Sequence, residues 1–408
     1  MSFSSLGLSP YILAAIEAKS YKFPTAIQQK AIPAILSGRD VLAASQTGTG
    51  KTAAYSLPVI ERLSAGTRVK PNQVRALILV PTRELAVQIA HSIQTICDAF
   101  KLHLVAVYGG VKINPQMMTL RKGADVLIAT PGRLLDLYKH NAIQFTQLEV
   151  LVLDEADRML DLGFRDEILK TISLLPNQRQ NLMFSATFPE TVRSFARSIA
   201  TDPVEISINP HITTAVSVDQ WLYPVDTNRK SALLAHLIRT NNWQQVLVFC
   251  KTRQGADKLI HYLQKKNIQS AAIHGDKSQG ARTRALADFK AGTVRILVAT
   301  DLAARGLDIN QLPQVVNYDL PHITEDYIHR IGRTGRAGLS GEAISLVSAD
   351  EFTKLAEIER LIKGLIIRKH IKAYEPIQKL ADSKLDTRPI KPKKPKKPKK
   401  QKNPEQRK

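Results

Sequence analysis

Short apolar runs recur through the first half of the chain, and each gives way to a stretch with helical spacing. They are VLAAS (41–45), RALILVP (75–81), LVAVYGG (104–110), DVLIATP (125–131), VLVLDEA (150–156) and NLMFSAT (181–187). Each is rich in Val, Leu and Ile and continuous. A strand with one wet face alternates apolar with polar residues, whereas a strand covered on both faces does not. The runs therefore predict mainly parallel sheets with crossover helices. Around 203–218 the text becomes PVEISINPHITTAVSV, with Pro203 and Pro210 among small polar residues, and reads as a linker. The pattern then restarts in QVLVFC (245–250), SAAIHG (270–275), RILVATD (295–301), QVVNYDL (314–320) and GEAISLVS (341–348). The expectation is an α/β chain of two tandem domains, 1–207 and 218–374, joined by a linker over 208–217. The halves share an architecture but no residue-level repeat.

Length supports this division, since 408 residues exceed one ordinary core and suit two domains of roughly 150–200 residues each. After Tyr374 the periodicity stops. From Lys391 the chain repeats K-P-K, and Pro392, Pro395 and Pro398 fall at the three-residue turn of a polyproline II helix. Residues 375–408 are expected to form a disordered, basic tail. The net charge is +22, of which residues 391–408 carry +9, so the remaining 390 residues keep +13. The body is basic even without its tail, and a polyanion is the simple partner. Two cysteines, Cys97 and Cys250, stand far apart in no metal-ligand spacing. That argues against a disulfide framework or zinc site and for a reducing, cytoplasmic compartment. The start MSFSSLGLSP lacks the basic region of a signal peptide, and no apolar run of 18 residues exists to span a membrane.

The first run leads into Ser45-Gln46-Thr47-Gly48-Thr49-Gly50-Lys51-Thr52 and then a helical AAYSLPVIERL. Gly-Lys-Thr between a strand and a helix is a phosphate-cradling loop, in which backbone N–H groups and the helix N-terminus meet phosphates. Lys51 would reach the outer phosphates and the Thr52 hydroxyl would take Mg²⁺. Ser45 stands where such loops usually carry their first glycine. A loop of this kind needs a carboxylate from a neighbouring strand end, and LVLDEAD (151–157) supplies it. Asp154 follows the apolar residues directly, where it would hold Mg²⁺, and Glu155 is placed to activate a water. An arriving cation would offset the repulsion among these acids. They are therefore expected to face an open cleft with few partners of their own.

With these residues in place, the chain resembles a DEAD-box ATP-dependent RNA helicase, most nearly of the bacterial RhlE type. The resemblance spans about residues 3–370. Its motifs appear in order: PTAIQ (24–28), SQTGTGKT (45–52), PTRELA (81–86), GG (109–110), TPGR (130–133), DEAD (154–157), SAT (185–187), QGAR (279–282), TDLAARGLD (300–308) and HRIGRTGR (329–336). GGVKINPQMM and SQGARTRALADF carry the likeness to the RhlE type. The resemblance implies two RecA-like domains with ATP and Mg²⁺ as cofactors. It implies that Gln28 reads the adenine edge and Tyr21 stacks on the base, with Ser20 standing for the family's glycine. Gln46 to Thr52 would bind phosphates and Asp308 the ribose. Asp157, Ser185, Thr187 and His329 would couple the sites, and Arg333 and Arg336 would act as arginine fingers. Such fingers on a second domain would make hydrolysis depend on domain closure.

For RNA the resemblance points to Pro81, Thr82, Arg83 and Glu84, to Gly109 and Gly110, and to Thr130, Pro131, Gly132 and Arg133. In the second domain it points to Thr300 and Arg305. Glycines and small hydroxyls suit close approach to a sugar–phosphate backbone, so the grip is expected to ignore base sequence. The lysine tail would add salt-sensitive attraction to phosphates. Ribosomal precursors or RNA-decay machinery are the partners the resemblance implies. A non-catalytic ATP-gated RNA clamp, a basic RNA chaperone and a DNA helicase are the rival readings. The intact Lys51, Glu155, Arg333 and Arg336 speak against the first, the phosphate loop against the second, and the absence of room for further domains against the third.

Overall fold

The computed structural model describes residues 2–19, 21–45, 48–186, 188–208, 218–304, 307, 309, 311–335 and 341–385. The first sheet contains β1 (Val41–Ala44), β2 (Val74–Leu79), β3 (Leu104–Val107), β4 (Ala124–Ala129), β5 (Val150–Asp154), β6 (Gln180–Ser185) and β7 (Val204–Ser207). Its order is β3-β4-β2-β5-β6-β1-β7, with every pair parallel. The second contains β8 (Val218–Pro224), β9 (Val246–Phe249), β10 (Ser270–Ile273), β11 (Ile296–Ala299), β12 (Gln314–Asn317), β13 (Gly341–Val347) and β14 (Ile367–Arg368). Its order is β10-β11-β9-β12-β13-β8-β14, again all parallel. Counted from the first strand of each sheet, the two orders are the same. One fold is built twice from sequences that share no visible repeat.

The continuous apolar runs have the cause expected of them. In β2, Ala76 and Ile78 pack into one core while Leu77 and Leu79 pack into another on the opposite face. In β9, Val246 and Val248 divide from Leu247 and Phe249 in the same way. Full burial of each Val, Leu, Ile or Phe among them contributes about 1.5–3 kcal/mol. The cores below residue 209 and those above residue 217 share no members, so each half has its own interior.

Two strands and one boundary differ from the sequence reading. Val204–Ser207, inside the first expected domain but within the stretch that read as linker, is the edge strand β7 and pairs with β1. It alternates in burial and follows Pro203, so its pattern resembles an extended loop. The seven-residue β8 was missed because Asp219 and Gln220 interrupt it. Residues 375–385, assigned to the tail, are tied to the second half. Ile377 donates its N–H to Asp226 at 3.0 Å, and Arg368 Nη2 donates to the Ala381 carbonyl at 2.6 Å. Leu380 enters the core beside Leu355 and Ile358. The remainder of the predicted tail and most of the predicted linker lie outside the described residues. Among the described residues no helix is long and apolar enough to cross a membrane.

Candidate active site

Strand order decides which loops meet. β5, β6 and β1 are neighbours, with Asp154 paired to Phe184 and Ser185 to Ala44. All run parallel, so their C-terminal ends open on one edge, where such sheets bind ligands. β1 is followed by the glycine-rich loop, β5 ends in Asp154 and β6 ends in Ser185. Gly50 has φ 91°, and a Cβ there would come within 2.4 Å of Gln28 Nε2. Only glycine fits, and the helix Lys51–Ser64 starts immediately after it. Lys51 is buried and donates from Nζ to the Ser45 carbonyl at 2.9 Å. The Ser45 and Thr49 hydroxyls are 2.6 Å apart. The serine that replaces the usual glycine thus braces the loop from within.

Asp154 is only 3% exposed. Its Oδ2 accepts from the Tyr55 hydroxyl at 2.9 Å and its Oδ1 from the Glu155 N–H at 2.9 Å. Burial pushes its carboxyl up to about 6, with Lys51 pulling the other way and Glu155 pushing further up. Glu155 has φ 53° and ψ 51°, a left-handed backbone that costs a non-glycine residue about 1–2 kcal/mol. Such strain persists where the surroundings enforce it, and here it accompanies a carboxylate set in the cavity wall. Asp157 accepts the Ala186 N–H at 3.2 Å on Oδ2, and its own N–H donates to Ser185 Oγ at 3.3 Å. These bonds join the DEAD and SAT segments through Ser185 and Ala186, whereas the expected partners of Asp157 were Ser185 and Thr187. The expectation of poorly satisfied acids is corrected, because Asp154 lines the cavity yet both its oxygens have donors.

A cavity of about 450 Å³ joins Tyr21, Gln28, Gly48–Thr52, Asp154 and Glu155 to Leu307 and Arg333 of the second half. Beyond Glu155 and Arg333, which border both, a second cavity of about 350 Å³ is walled by Asp157 and Arg158 on one side and His329 on the other. Arg333 is 9% exposed and donates to the Leu307 carbonyl at 3.1 Å. The Gln28 amide accepts from the Thr25 N–H at 2.9 Å and donates to the Gly50 carbonyl at 3.2 Å, so it ties a helix start to the loop. Tyr21 is half-exposed at the rim, and Phe3 and Phe23, not singled out from the sequence, line the same cavity. Gln46, Thr47, Thr187, Arg305, Asp308 and Arg336 lie outside the described residues.

The segments expected to meet RNA follow β2, β3 and β4, the other half of the same sheet. Gly110 is exposed with φ 79°, and the Arg83 guanidinium occupies the place a Cβ would take. Arg133 donates to Gln116 Oε1 at 3.0 Å and to the Val111 carbonyl at 2.9 Å, while Gln116 donates to the Tyr108 carbonyl at 3.2 Å. Gln116 therefore braces Arg133 against the glycine loop, a role its sequence position did not signal. Gly132 is exposed with nothing near it. Pro81, Thr82, Pro131 and Thr300 are buried, and three of them serve helix starts. Thr82 Oγ1 accepts the Leu85 N–H at 3.3 Å, Pro131 opens the helix after Thr130, and the Thr300 carbonyl accepts from Ala303 and Ala304. Glu84 does something else again. It pairs with Arg282 at 2.8 Å and accepts from Gln279 at 3.2 Å, and so joins the two halves. Arg330 was also missed. It is 1% exposed, sits over the Phe249 ring, and binds Asp301 with two nitrogens at 2.6 and 2.8 Å.

Family models match twice, DEAD/DEAH box helicase over residues 25–195 and helicase conserved C-terminal domain over 229–338. The chain is 42% identical over 365 residues to the DEAD-box ATP-dependent RNA helicase RhpA of Helicobacter pylori, covering 90% of this chain and 73% of that one. The chain belongs to the DEAD-box RNA helicase family. Among solved structures, this DEAD-box chain is similar to Saccharomyces cerevisiae Dbp5 bound to RNA and ADP BeF3, with TM-score 0.79 and 33% identity over 90% of this chain and 95% of that one. A DEAD box protein from Methanococcus jannaschii is 37% identical over 90% and 99%, yet its TM-score is 0.50. The RecA-like tandem expected from the motifs is the fold observed.

Proposed function

We propose that this chain is an RNA-dependent ATPase that locally separates short RNA duplexes or remodels RNA–protein contacts, driven by closure of its two halves over ATP. The observation that carries this reading is the single cavity shared by Lys51, Asp154, Glu155 and Arg333, three from one half and one from the other. Phosphoryl transfer needs positioning and charge stabilisation more than covalent chemistry. Lys51 and the helix N-terminus behind Gly50 bind the phosphates. Glu155 orients a water and takes its proton. Arg333 stabilises charge on the transferred group, and its supply from the second half makes turnover depend on closure. Asp157, through Ser185 and Ala186, ties the site to the loop that follows β6, and His329 faces it across the second cavity.

Thr52 and Asp154 would hold Mg²⁺. The fit rests on Asp154, a buried carboxylate in the cavity wall. Among the described residues no cluster of three or more His, Cys, Asp or Glu could hold an ion alone. A cation that takes one or two protein oxygens and completes its shell from phosphates and water suits this arrangement. When bound, it supplies positive charge to the phosphate oxygens. Gln28 and Tyr21 are assigned to the adenine and Asp308 to the ribose. RNA lies along Arg83, Gly109, Gly110, Gly132 and Arg133, bound through its backbone, and the lysine tail adds salt-sensitive attraction. The RhlE type, a cytoplasmic setting and ribosomal or RNA-decay partners belong to this proposal as well.

Glu155→Gln tests it. Steady-state ATP turnover with saturating RNA should fall at least about a hundredfold, while ATP and RNA still bind because Lys51 and Asp154 remain. Undiminished turnover in that variant would remove Glu155 from its role and favour a different base.

A further inference from the structure

The helix Lys51–Ser64 carries a buried polar side chain that the chemistry above leaves unused. Tyr55 lies three residues beyond Thr52, on the same helical face. It is 0% exposed, and its ring packs 5.1 Å from that of Phe184 in β6. A buried phenol needs partners for its hydroxyl. This one donates to Asp154 Oδ2 at 2.9 Å. One buried hydroxyl therefore holds the carboxylate assigned to the divalent cation.

The direction of this bond is set at its carboxylate end. An ionised Asp154 only accepts, so the phenol proton belongs to that bond. At Asp154, Oδ1 is fixed by the Glu155 N–H at 2.9 Å, so the carboxylate is held at both ends.

We propose that Tyr55 is a positioning residue for the divalent-cation site, holding the Asp154 carboxylate in a fixed orientation for the cation. This role presupposes the ATP-binding reading above. Its sequence signature is a tyrosine three residues after the Lys-Thr of the phosphate loop.

The test is Tyr55→Phe in the full chain, which keeps the ring against Phe184 and removes only the hydroxyl. Binding of a fluorescent ADP analogue is titrated against Mg²⁺ starting from excess EDTA. Nucleotide affinity in EDTA should match the parent chain. The Mg²⁺ concentration giving half of the cation-dependent gain should rise about 10- to 100-fold, the usual cost of losing an outer-shell partner. Mn²⁺ should narrow the gap, because Mg²⁺ is the more demanding of ideal octahedral geometry. Equal Mg²⁺ half-points in variant and parent would overturn the inference and leave the ATP reading intact. An equal loss of affinity with and without cation would mean the tyrosine only packs, and would overturn it too. A parent chain whose nucleotide affinity ignored Mg²⁺ would instead bring down the reading on which the inference rests.

Discussion

At the scale of single residues, the site depends on positions where only one side chain fits. Gly110 shows this most directly. Its φ of 79° is left-handed, and Arg83 stands where a Cβ would go. Gly110→Ala would meet backbone strain of about 1–2 kcal/mol and would also push the arginine out of place. RNA affinity should fall about tenfold, the equivalent of about 1.4 kcal/mol, while ATP binding without RNA stays unchanged. Fluorescence anisotropy of a labelled single strand, at fixed salt, measures both arms. Full RNA affinity in the variant would show that the glycine loop lies off the RNA path. Glu84 carries a different lesson. Its segment was read as an RNA contact, yet its carboxylate pairs with Arg282 of the other half. A motif groups neighbours in sequence, but adjacent side chains can serve different surfaces.

At the scale of elements, parallel pairing puts every functional loop on one edge, and strand order sorts them. The loops after β1 and β5 line the nucleotide cavity and the one after β6 lines the second cavity beside it, while those after β2, β3 and β4 build the Arg83–Arg133 surface. The second half also extends past its last helix. β14 adds to the edge of β8, the Lys369 N–H donates to the Leu222 carbonyl at 2.8 Å, and the chain continues until Leu380 is buried. A chain ending at residue 374 should therefore be less stable than one ending at 385. The loss should be about 2–3 kcal/mol, set mainly by the buried leucine, and should appear in the urea unfolding of the second half. Equal midpoints for the two truncations would mean that residues 375–385 contribute nothing to the core.

At the scale of the whole molecule, the proposed catalytic groups are divided between bodies that do not share a core. The first half holds Lys51, Asp154 and Glu155, and the second brings Arg333 to the same cavity. Glu84 with Arg282 and Gln279 helps to hold the halves together. Because its interior is separate, the fragment 1–207 should fold alone and bind ATP. Its turnover should fall by roughly 10³-fold or more, the usual worth of an arginine finger. Turnover equal to that of the whole chain would sink the closure mechanism.

By itself, the sequence determined the α/β class and the two tandem bodies, and it named the candidate chemical groups. Those features rest on local signals. Continuous apolar runs mark strands covered on both faces, and a Gly-Lys-Thr step after such a run marks a phosphate loop. Strands β7 and β14 escaped because a short edge strand is held by its neighbour more than by its own pattern, and β8 escaped because Asp219 and Gln220 interrupt its apolar run. Tertiary structure alone decided that Asp154 is buried against Tyr55, that Gln116 braces Arg133, that Arg330 binds Asp301 beside Phe249, and that Glu84 joins the halves. Each of those contacts closes between segments far apart in the chain, where no periodicity records it. The same holds for Pro81, Thr82, Pro131 and Thr300. The motif names them, but only packing shows them buried as scaffolding beneath the residues that face the ligand.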